Sequence, residues 1–536
     1  MPRAARHDAI VVGAGHNGLV TAGYLARAGL RVLVLERRPV VGGACVTEEV
    51  FPGFKVSTAA YVSSLFRPEI VHDLRLREYG FEVLARNPSS FTPLPDGRSL
   101  TLGPDPEWTR REIAKFSVRD AGRYPEYEAM LERVATLVEP TLVMTPPDLM
   151  RPGLRGLHDL WGLGRALGRL GDDASHAVEL LTGPARAILD RWFESPVLKA
   201  TLATDAIIGA MASPSMPGTG YVLLHHVMGE TDGRRGVWGY VRGGMGGLTL
   251  ALARAARDLG VEVRCEADVG RILVRDGRVV GVALADGEEF RAPVVASNAD
   301  AHVTFLRLLA PEALPPAFRA AVERISYESA SVKINVALSE LPDFLACPGR
   351  APGPQHRGTI HICPDPDYIE RAFDDAKYGR ASARPVLECT IPSVVDGTVA
   401  PPGRHLMSMF VQYAPYTLRD TTWEDTREAF ADRCFALLDE YAPNFSRSVL
   451  ARQVLAPPDL ERVFNLTGGN IFQGAMTPGQ LFSLRPLPGW ASYRTPVRGL
   501  YLCGAAAHPG GGVMGAPGRN AAMEILRRRR HFRLTT

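Results

Sequence analysis

Residues 8–47 read DAIVVGAGHNGLVTAGYLARAGLRVLVLERRPVVGGACVT. Ala9–Val12 is an apolar run of the length of a buried strand. Gly13, Gly15 and Gly18 follow it in the spacing Gly-x-Gly-x-x-Gly. A helical pattern then runs from about Asn17 to Ala28 and is broken by Gly29. A second apolar run, Val32–Leu35, ends in Glu36. In such a strand–turn–helix–strand unit the first glycine allows the tight turn, the second a close approach of backbone to a pyrophosphate, and the third the packing of helix on strand. The helix N-terminus, at His16 and Asn17, offers free N–H groups to phosphates. Glu36 can accept hydrogen bonds from an adenosine ribose and would repel a 2′-phosphate.

The segment after Glu36 carries Arg37 and then Gly42-Gly43, followed by Ala44. An acid-ended strand with a Gly-Gly pair six residues later resembles the second fingerprint of flavoproteins that bind FAD in an extended pose. On these residues the chain resembles the FAD-dependent phytoene desaturase and amine oxidase superfamily, and within it the branch that contains carotenoid ketolase-like proteins. Further carriers of the resemblance are residues 198–229 (LKATLATDAIIGAMASPSMPGTGYVLLHHVMG), WGYVRGGMGGL, residues 455–476 (LAPPDLERVFNLTGGNIFQGAM) and residues 499–522 (GLYLCGAAAHPGGGVMGAPGRNAA). Relatives often have arginine after the Gly-Gly pair; Ala44 stands there in this chain.

The resemblance implies a fold class: α/β, with a discontinuous Rossmann-like FAD-binding domain, an inserted α+β substrate domain and a helical lid. The expected parts are 1–105, 236–310 and 481–536 for FAD, 106–235 for the lid, and 311–480 for the substrate domain. It implies FAD contacts at Gly13, Gly15, His16, Asn17, Gly18, Glu36, Arg37, Gly42, Gly43, Val269, Gly504, Val513, Met514 and Asn520. Val269 is carried over from a strand like 266–269 that sets backbone against adenine in relatives. Residues 504–520 would bring a glycine-rich helix start, beginning near Val513, under the flavin. Lys333, in the alternating strand SVKINVAL, is a catalytic candidate because relatives hold a lysine near flavin N5; the alternative is a solvent-facing lysine. His508, in AAAHPGGG, is a second candidate as acid, base or flavin polariser. His225 and His226 are adjacent, so on a helix they point about 100° apart and at most one is expected to line a cavity.

The bulk numbers agree with this reading. A chain of 536 residues exceeds a single core. A net charge of +3 implies no general affinity for nucleic acid. Seven scattered cysteines contain no Cys-x-x-Cys and match no metal site, so they read as small buried hydrophobes. No second nucleotide fingerprint follows a strand, which argues against NAD(P). No run approaches a bilayer span, and the first strand begins by residue 9, so a cytoplasmic protein is expected; eukaryotic members of the branch are mitochondrial. The helical stretch LHDLWGLGRALGRL (157–170) reads either as a solvated helix pair or as an amphipathic lid touching a membrane.

The expected activity is FAD-dependent removal of hydride from a hydrophobic substrate of the isoprenoid or polyene kind, with O2 or a quinone as electron acceptor. One alternative is a flavin-dependent ketolase or oxygenase. Another, of a different class, is a non-catalytic prenyl carrier with the fold of Rab GDP-dissociation inhibitors.

Overall fold

The computed structural model describes residues 7–231 and 233–535. Five short parallel strands form one sheet in the spatial order Glu262–Arg264, Val32–Leu35, Ala9–Val12, Val295–Ser297, Leu500–Leu502. Three separated parts of the chain thus meet in a single sheet, as expected for a discontinuous nucleotide domain. The central strand Ala9–Val12 is buried along its whole length, which is why it is uniformly apolar. Helix His16–Arg27 leaves it after Gly13 and ends before Gly29, whose φ of +83° closes the turn. This helix packs against helices Gly246–Asp258 and Ala516–Thr535.

A second, seven-stranded sheet runs in the order Val449–Leu455, Ser331–Leu338, His405–Gln412, Val386–Thr390, Thr359–Ile362, Ser90–Pro93, Ser99–Leu102. Its strands alternate. Val332, Ile334, Val336, Ile360, Leu387, Met407, Met409 and Val411 face a core shared with Phe430, Cys434 and Leu438 of helix Trp423–Asp439. Lys333, Asn335, His361, Glu388 and Ser408 take the intervening positions. The hairpin that turns at Asp96-Gly97 pairs with this sheet through Ser90↔Thr359. Residues 90–102 therefore depart from the expected first FAD segment 1–105: their strand edge finds its hydrogen bonds on the substrate sheet.

The helical segment builds a third core around Tyr127, Leu131, Leu180, Ile188, Leu198 and Leu223. Helix Gly153–Gly168 meets it through Leu167 and leaves an apolar ridge uncovered: Leu154 is 90% exposed and Trp161 60%, with Met150 and Leu157 exposed beside them. Two local expectations are corrected. The last helix begins at Ala516, not near Val513, because Val513 sits at φ +58° and cannot continue a helix. The strand expected at 266–269 begins only at Val269, since Glu266 turns at φ +53°. In the terminal basic run, Arg527 and Arg528 pair with Glu524 and Arg529 with Asp8; the side chains from 530 onward lie outside the described residues. No described helix is long and apolar enough to cross a membrane.

Candidate functional site

One cavity of about 540 Å³ runs from the glycine turn of the parallel sheet to the polar face of the seven-stranded sheet. At its first end it is lined by Gly13, Gly15, His16, Asn17, Glu36 and Gly43. The Glu36 carboxylate is buried and accepts from Ala14 N–H at 2.8 Å and Arg38 N–H at 3.0 Å, one donor per oxygen. Each oxygen keeps a lone pair for a further donor. The Glu36 carbonyl accepts from Ala267 N–H at 2.8 Å, which brings Ala267, Asp268 and Val269 to the same wall.

The glycines leave room that any side chain would take. A Cβ on Gly18 would lie 2.1 Å from the Gly13 carbonyl oxygen, and one on Gly15 would lie 2.7 Å from Asn298 Nδ2. Gly15 and Gly42 bridge directly, so the two glycine motifs are parts of one turn cluster. Gly18, Gly42 and Gly504 support this cluster from behind rather than lining the cavity. An open backbone cradle, a helix N-terminus and a carboxylate with spare acceptors fit the adenosine and pyrophosphate of a dinucleotide.

Two arginines complete this end. Arg37 lines the cavity while donating to the carbonyls of Arg462 and Val463 at 3.1 and 2.6 Å. Arg38, which sequence reasoning missed, pairs with Glu48 at 2.7 Å, lies over the Phe464 ring and keeps Nη1 without a partner. It supplies a cation at the wall where Ala44 carries none. The basic pair directly after the ribose acid was its visible signal.

At the other end, the sheet's polar face forms the floor. His361, Glu388, Phe410 and Lys333 lie in one row across four neighbouring strands, and all four line the cavity. Lys333 is therefore on the face opposite the apolar set, and that face is enclosed, so the lysine is only 2% exposed. Its Nζ donates to Asn335 Oδ1 and, at 2.6 Å, to Ser408 Oγ, and lies 5.3 Å from the Tyr61 ring centre. Burial lowers its pKa to about 7. Tyr61 donates to Glu388 Oε1 at 2.6 Å. Burial raises both Glu388 and Tyr61; the Glu388 carboxyl pushes Tyr61 further up, whereas the hydrogen bond from Tyr61 opposes the rise of Glu388. Asp205 is pushed up to about 6 by burial, opposed by Arg86.

The histidines fall differently from expectation. His225 and His226 both line the cavity, rings 5.8 Å apart, because the end of helix Thr219–Val227 projects into it. His226 bonds Val222 O through Nδ1 and stacks on Trp238. Among the described residues neither ring nitrogen of His225 has a partner, and burial holds the ring neutral, lowering it to about 3; it abuts Gly512 of the loop that carries Val513. His508 is turned out of the cavity. Its Nε2 meets Thr141 O at 2.7 Å and its ring faces Phe482, so it fastens the loop to the helical region. Asn520 does the same through Leu142 O and Tyr493, and Met514 is packed into the helical core. Of that loop's candidates, Val513 lines the cavity, in a left-handed conformation that strains a β-branched residue.

Arg485 was also missed. It is buried, has no acidic partner among the described residues, and donates to the carbonyls of Phe472, Gly474, Ala475, Gln480 and Ala505, tying 472–480 to the loop after Leu502. Burial lowers it to about 10, and nothing in its sequence surroundings marked it.

The family profile described as flavin containing amine oxidoreductase matches residues 182–526, and that of an NAD(P)-binding Rossmann-like domain matches residues 11–75. The mouse pyridine nucleotide-disulfide oxidoreductase domain-containing protein 2 is 49% identical, over 97% of this chain and 93% of its own. A lycopene-forming phytoene desaturase of Pseudescherichia vulneris is 26% identical over 94% and 96% of the two chains. The crystal structure of an oxidoreductase from Methanosarcina mazei shares the fold, with TM-score 0.59 at 19% identity over 97% of this chain and 99% of its own.

Proposed function

The chain belongs to the flavin-containing amine oxidoreductase family, with FAD as cofactor, and from that premise we propose that it oxidises an apolar substrate of the isoprenoid or polyene kind by removing hydride. The observation that carries the proposal is the continuity of the cavity: the dinucleotide cradle opens directly onto a chamber walled by Leu65, Leu202, Ile208, Leu223, Phe410 and Phe472. FAD, when bound, supplies the hydride acceptor.

The protein's own residues do the rest. Glu36, the glycine turn and Arg38 hold the dinucleotide end. The apolar wall orients a hydrocarbon chain and keeps water out. Lys333 Nζ, held near neutrality by burial, is half deprotonated near pH 7 and can take the proton that leaves the carbon adjacent to the hydride donor. Tyr61 and Glu388 lie beside it and hold the floor rigid. The substrate thus loses two hydrogens, one as hydride and one as a proton, and the electrons pass on to O2 or a quinone. The exposed apolar ridge of Met150, Leu154, Leu157 and Trp161 supports contact with a lipid surface from which such a substrate is drawn.

Turnover of a polyene precursor by the FAD-loaded protein under isotopically heavy O2 tests this reading. A product two hydrogens lighter and free of label supports it. Label in the product moves the reading to a ketolase or oxygenase, and FAD-loaded protein that binds but never converts the chain moves it to a carrier.

A further inference from the structure

We propose that Arg86 anchors a carboxylate on the substrate, so that the chain processed here is an apolar acid rather than a hydrocarbon. The proposal rests on the apolar-substrate reading above and adds the polar end of that substrate.

Arg86 is 5% exposed, lines the cavity and makes no ion pair among the described residues. Its Nη1 donates to Thr359 Oγ1, the Tyr240 side chain is within hydrogen-bonding reach, and its Cζ lies 5.8 Å from the Tyr240 ring centre. Its Nε has no partner among the described residues. Two neighbouring wall groups, Ser90 Oγ and His361 Nδ1, are also buried without partners among the described residues. Ser90 pairs in register with Thr359, and His361 stands two residues along the same strand face. Buried polar groups are nearly always satisfied, and a buried guanidinium most of all. Three unmet groups at one end of a cavity therefore describe a polar ligand, and the guanidinium makes it an anion.

The surroundings select the type of anion. Glu388 and Asp205 lie within electrostatic range of Arg86 but outside ion-pair distance. Two carboxyl groups within that range disfavour a dianionic phosphate, whereas a single planar carboxylate matches the guanidinium fork and adds one charge. Distance along the floor sets the substrate's length. From His361 through Glu388 and Phe410 to Lys333 is three strand spacings, about 14 Å. A carboxylate at Arg86 thus leaves a long apolar chain lying across the floor, with its reacting carbons toward Lys333 and the His225–Gly512 wall.

The test uses the FAD-loaded protein and three probes: retinoate, retinol and benzoate, read by perturbation of the flavin absorbance and by retinoid fluorescence. Wild type is expected to bind retinoate roughly 10- to 100-fold more tightly than retinol, the range of a charge-assisted pair. Arg86→Met is expected to abolish that preference while leaving retinol binding unchanged, and Arg86→Lys to retain part of it. Benzoate, too short to report on the apolar body, reads the anchor alone and is expected to lose binding in Arg86→Met. A Thr359→Val variant, which keeps the charge and loosens its placement, is expected to fall between. Equal affinity for retinoate and retinol in wild type, or benzoate binding unchanged in a folded, flavin-loaded Arg86→Met, overturns the anchor. Displacement of benzoate by a lower concentration of inorganic phosphate overturns the monocarboxylate assignment. Failure of both retinoids with benzoate still bound through Arg86 instead refutes the apolar-substrate reading and leaves the anchor standing.

Discussion

Replacing Lys333 by methionine gives a signature that needs no substrate. The wild-type lysine goes from an ordinary pKa of 10.5 to about 7 on burial. Between those values the unfolded chain holds a proton that the folded chain has released, so wild-type stability rises with pH across that window and is lowest below 7. From pH 6 to pH 9 the linkage amounts to about 2.5 kcal/mol, at 1.36 kcal/mol per pH unit once the proton is fully released. Methionine has no such dependence. Against its gain stands the loss of donors to Asn335 Oδ1 and Ser408 Oγ, which costs about 1–3 kcal/mol per orphaned group at any pH. The sign of the offset at one pH is thus not diagnostic, but its slope is. Urea unfolding of FAD-saturated wild type and Lys333→Met at pH 6 and pH 9 should show the variant's relative stability falling by about 2.5 kcal/mol over that range. Lys333→Arg, which cannot shed its proton, should be destabilised at both values. A stability difference that is flat within about 0.5 kcal/mol would refute the enclosed, readily deprotonated lysine.

Other outcomes follow from the same geometry. Glu36→Gln keeps the shape but replaces an acceptor oxygen by a donor, and should weaken FAD binding by about tenfold or more, read by flavin release on dilution. Gly18→Ala would force a Cβ to 2.1 Å from the Gly13 carbonyl oxygen, so the helix must shift and the protein should purify without flavin and melt earlier. Arg485→Met leaves five carbonyls without this donor, those of Phe472, Gly474 and Ala505 buried, and should cost about 3 kcal/mol or more in denaturant unfolding, with the cavity chemistry untouched if FAD is retained. Leu157→Ser with Trp161→Ser alters only exposed positions, so stability should move by less than about 0.5 kcal/mol while sedimentation with anionic vesicles falls.

How much of this was legible follows physical lines. The glycine turn, Glu36 and the strand Leu500–Leu502 announce themselves because tight backbone packing admits few residue types there. The alternation around Lys333 was equally plain, but alternation distinguishes two faces without saying which one meets solvent. Only the enclosure of the second face turned a surface lysine into a buried one. Arg86, Glu388 and Tyr61 were unreadable because they are brought together by contacts between segments hundreds of residues apart. His508 misled because proximity in sequence to the loop does not fix where a ring points; its tie to Thr141 O does. The hairpin at 90–102 was assigned by its place in the chain, whereas sheets assemble by edge pairing.

Anaerobic titration of the purified, FAD-loaded protein with an apolar isoprenoid acid, following the oxidised flavin band, shows directly whether the cavity oxidises such a chain. Bleaching that ends at one equivalent of substrate per flavin, with a product two hydrogens lighter, is the outcome this account requires. A band that stays oxidised with every apolar chain yet bleaches with a simple amine would contradict it.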